Sequence, residues 1–218
     1  MALETEREWR EAAYDLLSDP PPGGRAGLRN AWLIPAARRL GEAWSDDTAS
    51  FADVTIGMGR LQWLLDGAPD APRDGAGPRV LLAPTPGDGH VFGLALLAEE
   101  LREGGFSVEL HTQPTVGGVA RAVALRPVAV LGIGVSVTRH AGRAAALVRA
   151  GRRGAREGGR PMPLIVAGGP ATQASEALLR SAGVDAILDA SEPPSDWLAR
   201  RLGAERESQG LELSVAMN

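Results

Sequence analysis

The chain has 218 residues, 44% hydrophobic and 23% charged, and a formal net charge of −4 at pH 7. This composition is ordinary for a soluble globular protein with one large domain or two small ones, and the acidic balance gives no global reason to expect nucleic-acid binding. The absence of cysteine excludes disulfides, thiolate metal sites and cysteine nucleophiles. Because the N-terminal stretch MALETEREWREAA is charged and no apolar run approaches about 20 residues, we expect a cytoplasmic protein without a signal peptide or membrane span.

The first 66 residues show the three- and four-residue spacing of amphipathic helices. Four helical segments follow from this spacing, near Trp9, Leu28, Pro35 and Phe51. A proline is tolerated in the first turn of a helix, where its missing N–H does no harm. Asp47 or Thr48 is the predicted N-cap of the fourth helix. We expect residues 1–66 to form a small four-helix bundle that serves as a cap.

A different pattern begins after residues 67–78, which are rich in Pro, Gly, Asp and Ala and are interpreted as a linker. Over residues 79–204, short apolar strands alternate with helical segments, and residues 205–218 form a polar C-terminal tail. The five predicted strands are RVLLAP, FSVELH, VAVLGIGVS, PLIVAGG and DAILDA. This alternation predicts an α/β fold with a doubly wound parallel five-stranded sheet, of flavodoxin-like or Rossmann type.

Three short segments follow the ends of three predicted strands. They are Asp88-Gly89-His90-Val91-Phe92-Gly93 after the first strand, Ser136-Val137-Thr138 at the third and Gly168-Gly169 at the fourth. Ligands of such sheets bind beyond the carboxyl ends of the strands, so we expect one shared site. The first segment lacks the spacing of a dinucleotide or Walker loop. One imidazole with a carboxylate partner cannot hold a free metal ion, but it can give an axial bond to a metal held by a macrocycle.

The three segments resemble the cobalamin-binding Rossmann-type domain of methionine synthase, B12-dependent mutases and corrinoid proteins, whose pattern is D-x-H-x-x-G, then S-x-L, then G-G. The resemblance implies that His90 is the lower axial ligand of cobalt in base-off cobalamin and that Asp88 supports it. It also implies a deep slot for the nucleotide tail of the cofactor. The residues implied to line that slot are Gly93, Ser136, Gly168 and Gly169. Thr138 stands where the pattern has leucine.

The helical half is similar to the cap of a narrower group, the AerR/PpaA regulators of photosynthesis genes, which are related to B12-dependent photoreceptor repressors. The similarity lies in the segment RLGEAWSDDTASFADVTIGMGRLQWLL. Trp44 matches a cap tryptophan that lies over the upper face of the corrin in those repressors. Val54 and Thr55 stand where the repressors have a Glu-His pair, so the histidine of their light-triggered adduct is not matched here.

This resemblance implies a light- or ligand-responsive regulator that binds a small-molecule corrinoid, as adenosyl-, methyl- or hydroxocobalamin. It would act as an antirepressor through a partner transcription repressor of photosynthesis genes. Two alternatives stay open, a corrinoid carrier for a methyltransferase system and a haem-binding sensor on the same fold. The sequence shows neither a paired-carboxylate site nor a nucleophile–base couple, so we do not expect an enzyme.

Simpler interpretations exist for several of these residues. Asp88 and Gly89 can form an ordinary turn in which His90 caps the next helix. Three other tryptophans fit helix packing and are given no role, namely Trp9, Trp32 and Trp63. Trp44, at the end of an amphipathic helix, also fits core packing when taken alone, and the cap resemblance is what favours a role over the cofactor.

The remaining basic and histidine residues give weaker signals. The run RAGRRGAREGGRP fits a solvated helix end, where arginines interact favourably with the helix dipole. Since no helix-turn-helix or other base-reading element is evident, we do not expect direct DNA binding. His111 and His140 lack a carboxylate at metal-site spacing and are interpreted as ordinary. His140 is the candidate for a second cobalt ligand.

Overall fold

The computed structural model describes residues 2–69, 75–189 and 191–204. The chain divides into two compact units, Met1–Pro72 and Arg73–Asn218. The first unit is helical. It contains α1 (Ala2–Ser18), α2 (Gly24–Leu28), α3 (Ile34–Ser45) and α4 (Phe51–Gly67). The predicted C-terminal tail lies outside the described residues, and so does the middle of the predicted linker, residues 70–74.

A wide π-helical turn, Arg29–Leu33, joins α2 directly to α3. The predicted second and third helices are therefore parts of one helical run, with Pro35 in the first turn of α3 as expected. Leu28 and Leu33 are buried, whereas Trp32 is 55% exposed. The prediction that Trp32 packs between helices is wrong, because neighbouring helical positions face different directions and Leu33 takes the inward one.

A capping box starts α4 at Ser50. The backbone N–H of Asp53 donates to Ser50 Oγ at 3.2 Å, and the backbone N–H of Ser50 donates to Asp53 Oδ2 at 2.9 Å. Asp47 adopts a left-handed conformation with φ of 54°, and Thr48 Oγ1 donates to Ala43 O at 3.1 Å. The prediction of Asp47 or Thr48 as the N-cap is wrong, since both residues belong to the turn that closes α3.

Aromatic contacts hold α1 against α4. The ring centroids of Trp9 and Trp63 are 5.4 Å apart, and those of Tyr14 and Trp63 are 5.5 Å apart, both edge-to-face. The Arg60 guanidinium lies 4.8 Å from the Trp9 ring centroid. Such aromatic pairs contribute about 0.5–1.5 kcal/mol each beyond burial. The prediction that Trp9 and Trp63 serve helix packing is confirmed.

The second unit is built around a parallel sheet of five strands. They are β1 (Arg79–Pro84), β2 (Ser107–Leu110), β3 (Val130–Gly134), β4 (Leu164–Gly168) and β5 (Ala186–Ile187). The strand order is β2-β1-β3-β4-β5, which is the flavodoxin-like order with its switch point between β1 and β3. The predicted fold class is confirmed.

Helices cover both faces of this sheet. They are α5 (Phe92–Glu103), α6 (Val116–Leu125), α7 (Ala141–Glu157), α8 (Glu176–Ala182) and α9 (194–204). Leu81, Leu131 and Ile165 are fully buried in the core under α6, α7 and α8. The neighbouring positions Val80 and Val130 are buried on the opposite face, with α5 and α9. Burial on both faces is why the central strands β1, β3 and β4 are apolar without alternation.

Both ends of the predicted linker are structured. Asp66 and Gly67 complete α4. The backbone N–H groups of Gly75 and Gly77 donate to Phe106 O and Gly105 O, each at 3.0 Å, so this end runs along the turn before β2. Among the helices of the described residues, none combines the length and the apolar character that a bilayer crossing requires.

Candidate functional site

Three loops meet at the carboxyl edge of the sheet. Pro84 at the end of β1 pairs with Gly134 at the end of β3, and Gly134 pairs with Gly168 at the end of β4. The loops that follow these three strands therefore lie side by side at the switch point. They carry the three segments that the sequence singled out, so the structure brings these segments together.

The loop after β1 opens with a tight turn that sequence reasoning missed. The Asp88 N–H donates to Thr85 O at 2.8 Å, and Gly87 has φ of 79°, as the third position of a type II turn requires. Thr85 is fully buried, and both its N–H and its hydroxyl donate to Gly134 O, at 2.9 and 2.8 Å. The Pro-Gly dipeptide was the available signal for this turn. The turn anchors Asp88 to β3.

Asp88 and His90 form a close pair. His90 Nδ1 lies 2.5 Å from Asp88 Oδ1, and the His90 backbone N–H donates to the same oxygen at 3.1 Å. The Asp88 side chain is 1% exposed and the His90 side chain 69% exposed. An ionised Asp88 makes Nδ1 the protonated ring nitrogen, so Nε2 carries a lone pair. The pair presents one oriented imidazole nitrogen at the surface of the sheet edge.

The pKa of Asp88 lies below its ordinary value. Burial by itself raises this pKa, because it disfavours the charged form. The hydrogen bonds from the His90 ring and backbone and from the Ser136 N–H, at 3.2 Å to Asp88 Oδ2, outweigh burial and lower it. Asp88 is therefore ionised at neutral pH, and it links the loops after β1 and β3.

The start of α5 leaves His90 outside the helix. Val91 occupies the N-cap position without a side-chain hydrogen bond, so the interpretation of His90 as a helix cap is wrong. Phe92 is buried against the core, whereas Gly89 and Gly93 are exposed. A Cβ at either glycine would have no atom within 4 Å. The glycines before and after His90 in the segment therefore each border open space.

The loops after β3 and β4 place the other predicted residues. Ser136 and Val137 are half-buried and Thr138 is exposed. Gly169 has φ of 116°, and a Cβ there would lie 2.7 Å from Val135 O, so both conformation and close packing require glycine. At Gly168 the nearest atom to an added Cβ is at 3.8 Å, which leaves room. These two glycines thus differ in role.

Two buried polar atoms at this edge have no hydrogen-bond partner among the described residues, His140 Nδ1 and Ser175 Oγ. His140 lies in the loop after β3, and Ser175 in the loop that begins at Gly169. Buried polar atoms are nearly always paired in folded proteins, so unpaired ones fit a site that a polar ligand completes. No group of three or more His, Asp or Glu residues in the described chain forms a metal site. The residues present fit a macrocyclic metal cofactor, because such a cofactor holds its own metal and would need only one imidazole from the protein.

A second carboxylate–histidine pair occurs next to this edge. His111 Nε2 lies 2.5 Å from Glu109 Oε1, so the interpretation of His111 as lacking a carboxylate partner is wrong. The spacing of the two residues equals that of Asp88 and His90, which was the overlooked signal. Ion pairing with Arg79 lowers the pKa of Glu109, burial opposes this, and the His111 hydrogen bond lowers the pKa further. The Glu109 carboxylate therefore interacts with two residues of the same unit, Arg79 and His111.

The predicted cap residues lie in the helical unit. Trp44, near the end of α3, is 50% exposed, and its ring centroid is 6.4 Å from that of Phe51, which is 75% exposed. Val54 is half-buried, and Thr55 Oγ1 donates to Phe51 O at 2.7 Å. Sequence reasoning gave Phe51 no part in the cap. The contact of Trp44, Val54 and Thr55 with a cofactor stays a prediction.

We expect Gly169→Ala to destabilise the protein by about 2–4 kcal/mol, because alanine meets both the positive φ and the Val135 carbonyl. Urea unfolding followed by circular dichroism measures this loss. Gly117→Ala is the control, since Gly117 lies in the first turn of α6 with open space around it. Equal stability of the two variants would contradict the structural role of Gly169.

Comparison with known proteins agrees with this site. The B12 binding domain family matches residues 78–196, which is more than half of the chain. An uncharacterised 20.5 kDa protein in the bchF-crtJ intergenic region of Rhodobacter capsulatus is 37% identical over 98 residues, 43% of this chain and 51% of that protein. The chain thus spans about half the length of this relative.

A solved structure shares the fold. The monomethylamine corrinoid protein of Methanosarcina barkeri superposes with a TM-score of 0.66 at 16% identity, over 87% of both chains. At this identity the match concerns the fold alone. The family match and the donors at the sheet edge together support a cobalamin-type cofactor. The chain belongs to the B12 binding domain family.

Proposed function

We propose that this chain binds cobalamin base-off, with His90 Nε2 as the lower axial ligand of cobalt, and that it works as a regulator rather than an enzyme. The observation that carries the cofactor assignment is the Asp88–His90 pair, in which a buried carboxylate orients an exposed imidazole. The alternative of a simple turn does not require this pairing. Membership of the B12 binding domain family supports the same assignment.

The proposal assigns a role to the residues at the carboxyl edge of the sheet. Asp88 accepts the Nδ1 proton in a hydrogen bond, which fixes the tautomer and orientation of the ring and leaves the Nε2 lone pair for a metal. Gly89 and Gly93 leave space beside the ring, and Gly168 leaves space at the end of β4. Ser136, Val137 and Thr138 line the same edge. When bound, an alkylcobalamin supplies a cobalt–carbon bond that light can break.

The regulatory part of the proposal rests on three supports. The sequence resembles photosynthesis-gene regulators, and the Rhodobacter capsulatus relative lies in the bchF-crtJ intergenic region. In the helical unit, Trp44, which matches the cap tryptophan of the related repressors, forms an exposed aromatic pair with Phe51. A change of upper ligand then favours one arrangement of the cap and alters the affinity for a partner repressor.

Spectra of reconstituted protein test the cofactor and the function together. The chain is mixed separately with hydroxocobalamin, adenosylcobalamin and haemin, gel-filtered, and recorded in the dark and after illumination. We expect retained cobalamin with a base-off spectrum that changes in light. Retention of haemin alone would assign the site to haem sensing. Catalytic methylation of bound cobalt, on addition of a methyl donor, reductant and partner methyltransferases, would assign the chain as a carrier.

We expect Trp44→Ala to retain cobalamin within about threefold of the parent affinity but to lose most of the light-dependent spectral change, because burial of one aromatic face contributes only part of the binding energy. Absorbance difference spectra measure this. Trp32→Ala is the control, since Trp32 is similarly exposed but outside the aromatic pair. If the light-dependent spectral change of Trp44→Ala equalled that of the parent, the proposed cap role of Trp44 would be wrong.

A further inference from the structure

The charge of the chain is unevenly distributed. Residues 116–161 contain nine arginines and a single acidic residue, Glu157, although the whole chain carries a net charge of −4. The nine are Arg121, Arg126, Arg139, Arg143, Arg149, Arg152, Arg153, Arg156 and Arg160. This segment covers α6, β3 and α7, and α6 and α7 lie on one face of the sheet. A strongly basic region therefore belongs to one side of the second unit.

The inner side of α7 is packed closely. A Cβ at Gly154 would lie 2.1 Å from Ala120 O of α6, and a Cβ at Gly151 would lie 2.4 Å from Leu131 Cδ2 of β3. Small residues at these positions bring α7 close to both neighbours. These tertiary contacts hold the helix in one rotation and thereby determine which residues lie on its outer side.

The outer side of α7 presents Arg149, Arg153 and Arg156, all exposed. We name these three residues the basic stripe. Spacings of four and three residues place them along one side of the helix over about 10 Å. Gly142 and Ala146 continue the same side toward the start of α7, where small residues permit close approach of a partner.

Only part of the basic run is used within the fold. Arg152 donates to Gly183 O and pairs with Asp185, and Arg160 donates to Ala124 O and Leu125 O at the end of α6. These contacts agree with the predicted interaction of arginines with helix ends.

The basic stripe has little such compensation. Arg153 and Glu157 form an exposed pair at 3.6 Å, a kind worth about 0–1 kcal/mol. Within the described residues, Arg149 and Arg156 make no ion pair. Most of the positive charge of the basic stripe is therefore available to a partner. Neither packing in the core nor ion pairs within the fold explain why arginines occupy these positions.

We propose that the basic stripe binds the phosphate backbone of duplex DNA without reading its sequence. Protein interfaces have a core of apolar and aromatic anchors, but the apolar residues Leu147 and Val148 of α7 are fully buried on its inner side. Along this side of α7, exposed arginines alternate with small residues and no large apolar side chain is exposed, which matches a polyanion. On the neighbouring helix, Arg121 of α6 is also exposed, whereas Arg126, which follows the last residue of α6, pairs with Glu109 at 3.5 Å.

This inference goes beyond the proposed regulator and does not depend on cobalamin. The sequence-based expectation against DNA binding rested on the lack of a base-reading element such as a helix-turn-helix. Phosphate contacts position a protein on DNA and carry no sequence information, so they need no such element. A partner repressor that reads the sequence would supply the specificity.

Fluorescence anisotropy with two unrelated 30-base-pair duplexes tests the proposal, using the full chain at several NaCl concentrations. We expect equal affinity for both duplexes. The triple variant Arg149→Gln, Arg153→Gln, Arg156→Gln should bind at least about tenfold more weakly, and its plot of log affinity against log salt should be shallower by about 2–3. The corresponding triple Lys variant should restore binding, because it keeps the charge.

A matched control removes three exposed arginines of the helical unit, Arg7→Gln, Arg38→Gln and Arg39→Gln, for the same change of net charge. Circular dichroism and cobalamin retention show that each variant is folded. Equal loss in both triple variants would overturn the proposal, and so would absence of duplex binding at 50 mM NaCl. Binding of polyglutamate of matched charge as tightly as DNA would also overturn it, and would point to an acidic protein instead.

Discussion

Replacing His90 with alanine is expected to reduce retention of hydroxocobalamin by at least about tenfold to hundredfold, since loss of a group that merely orients a metal ligand already costs this much. The absorbance bands that report histidine coordination of cobalt should disappear at the same time. Because the His90 ring also donates to the buried Asp88 carboxylate, the free energy of unfolding should fall by about 1–3 kcal/mol, and circular dichroism checks that the variant is still folded. Gel filtration followed by absorbance spectroscopy measures both effects on cobalamin.

His111→Ala is the matched control for this variant. His111 is also a histidine two positions after a carboxylate at a strand end, but its Nε2 is held by Glu109 and its strand, β2, lies at the edge of the sheet. We expect His111→Ala to retain cobalamin like the parent. If His90→Ala still retained cobalamin and His111→Ala did not, the cobalt ligand would be His111, after β2, and not His90, after β1.

Asp88→Asn is expected to weaken cobalamin retention by about tenfold to hundredfold while His90 itself remains. The amide oxygen accepts the Nδ1 hydrogen bond more weakly than a carboxylate does, so the tautomer and orientation of the ring are less firmly fixed. Equilibrium dialysis against hydroxocobalamin measures the change. Asp53→Asn is the control, since Asp53 also accepts a backbone hydrogen bond but belongs to the capping box of α4.

The same variant has a defined pH dependence of stability. Since the pKa of Asp88 is lowered in the fold, its ionised form stabilises the protein at pH values above the unfolded pKa of about 3.9, and this contribution is lost as pH falls through the folded pKa. At pH 7, loss of its charged hydrogen bonds should cost about 1.5–3 kcal/mol.

Urea unfolding of the parent and of Asp88→Asn from pH 7 down to pH 3 follows this difference. The gap in the free energy of unfolding between them should stay constant to about pH 4 and then shrink. A gap that widens toward acid would show that Asp88 is protonated in the folded protein.

Sequence reasoning located the strands well because both faces of the sheet are buried. An apolar run such as RVLLAP fits a strand that helices cover on both faces, because every side chain of the run is then buried. Helix boundaries were less certain, and the N-cap of α4 shows why. Asp47, Thr48 and Ser50 are all favourable N-cap residue types, and only the backbone conformation at Asp47 and the reciprocal bond from Asp53 select Ser50.

In the candidate site, too, the sequence predicted some residues and not others. The D-x-H-x-x-G pattern identified Asp88 and His90, whereas Glu109 and His111 have the same spacing at a strand end but no glycine three positions later, so the pattern did not select them. The hydroxyl of Thr85 and its bond to Gly134 O had no local signal beyond a Pro-Gly pair. Thr85 and Gly134 are 49 positions apart, and they meet because β1 and β3 are neighbours in the sheet. The spacing of residues along the chain does not show which strands are neighbours.

The sequence by itself determined the α/β architecture, the family and the strand-end segments, since apolar periodicity and short motifs are local properties of the chain. Only the tertiary structure decided that Ser136 N–H bonds to Asp88, and that Gly169 needs its left-handed backbone while Gly168 leaves space. It also decided which arginines of α7 face outward. These outcomes depend on strand order and on the rotation of a packed helix, which arise when distant segments meet in the core.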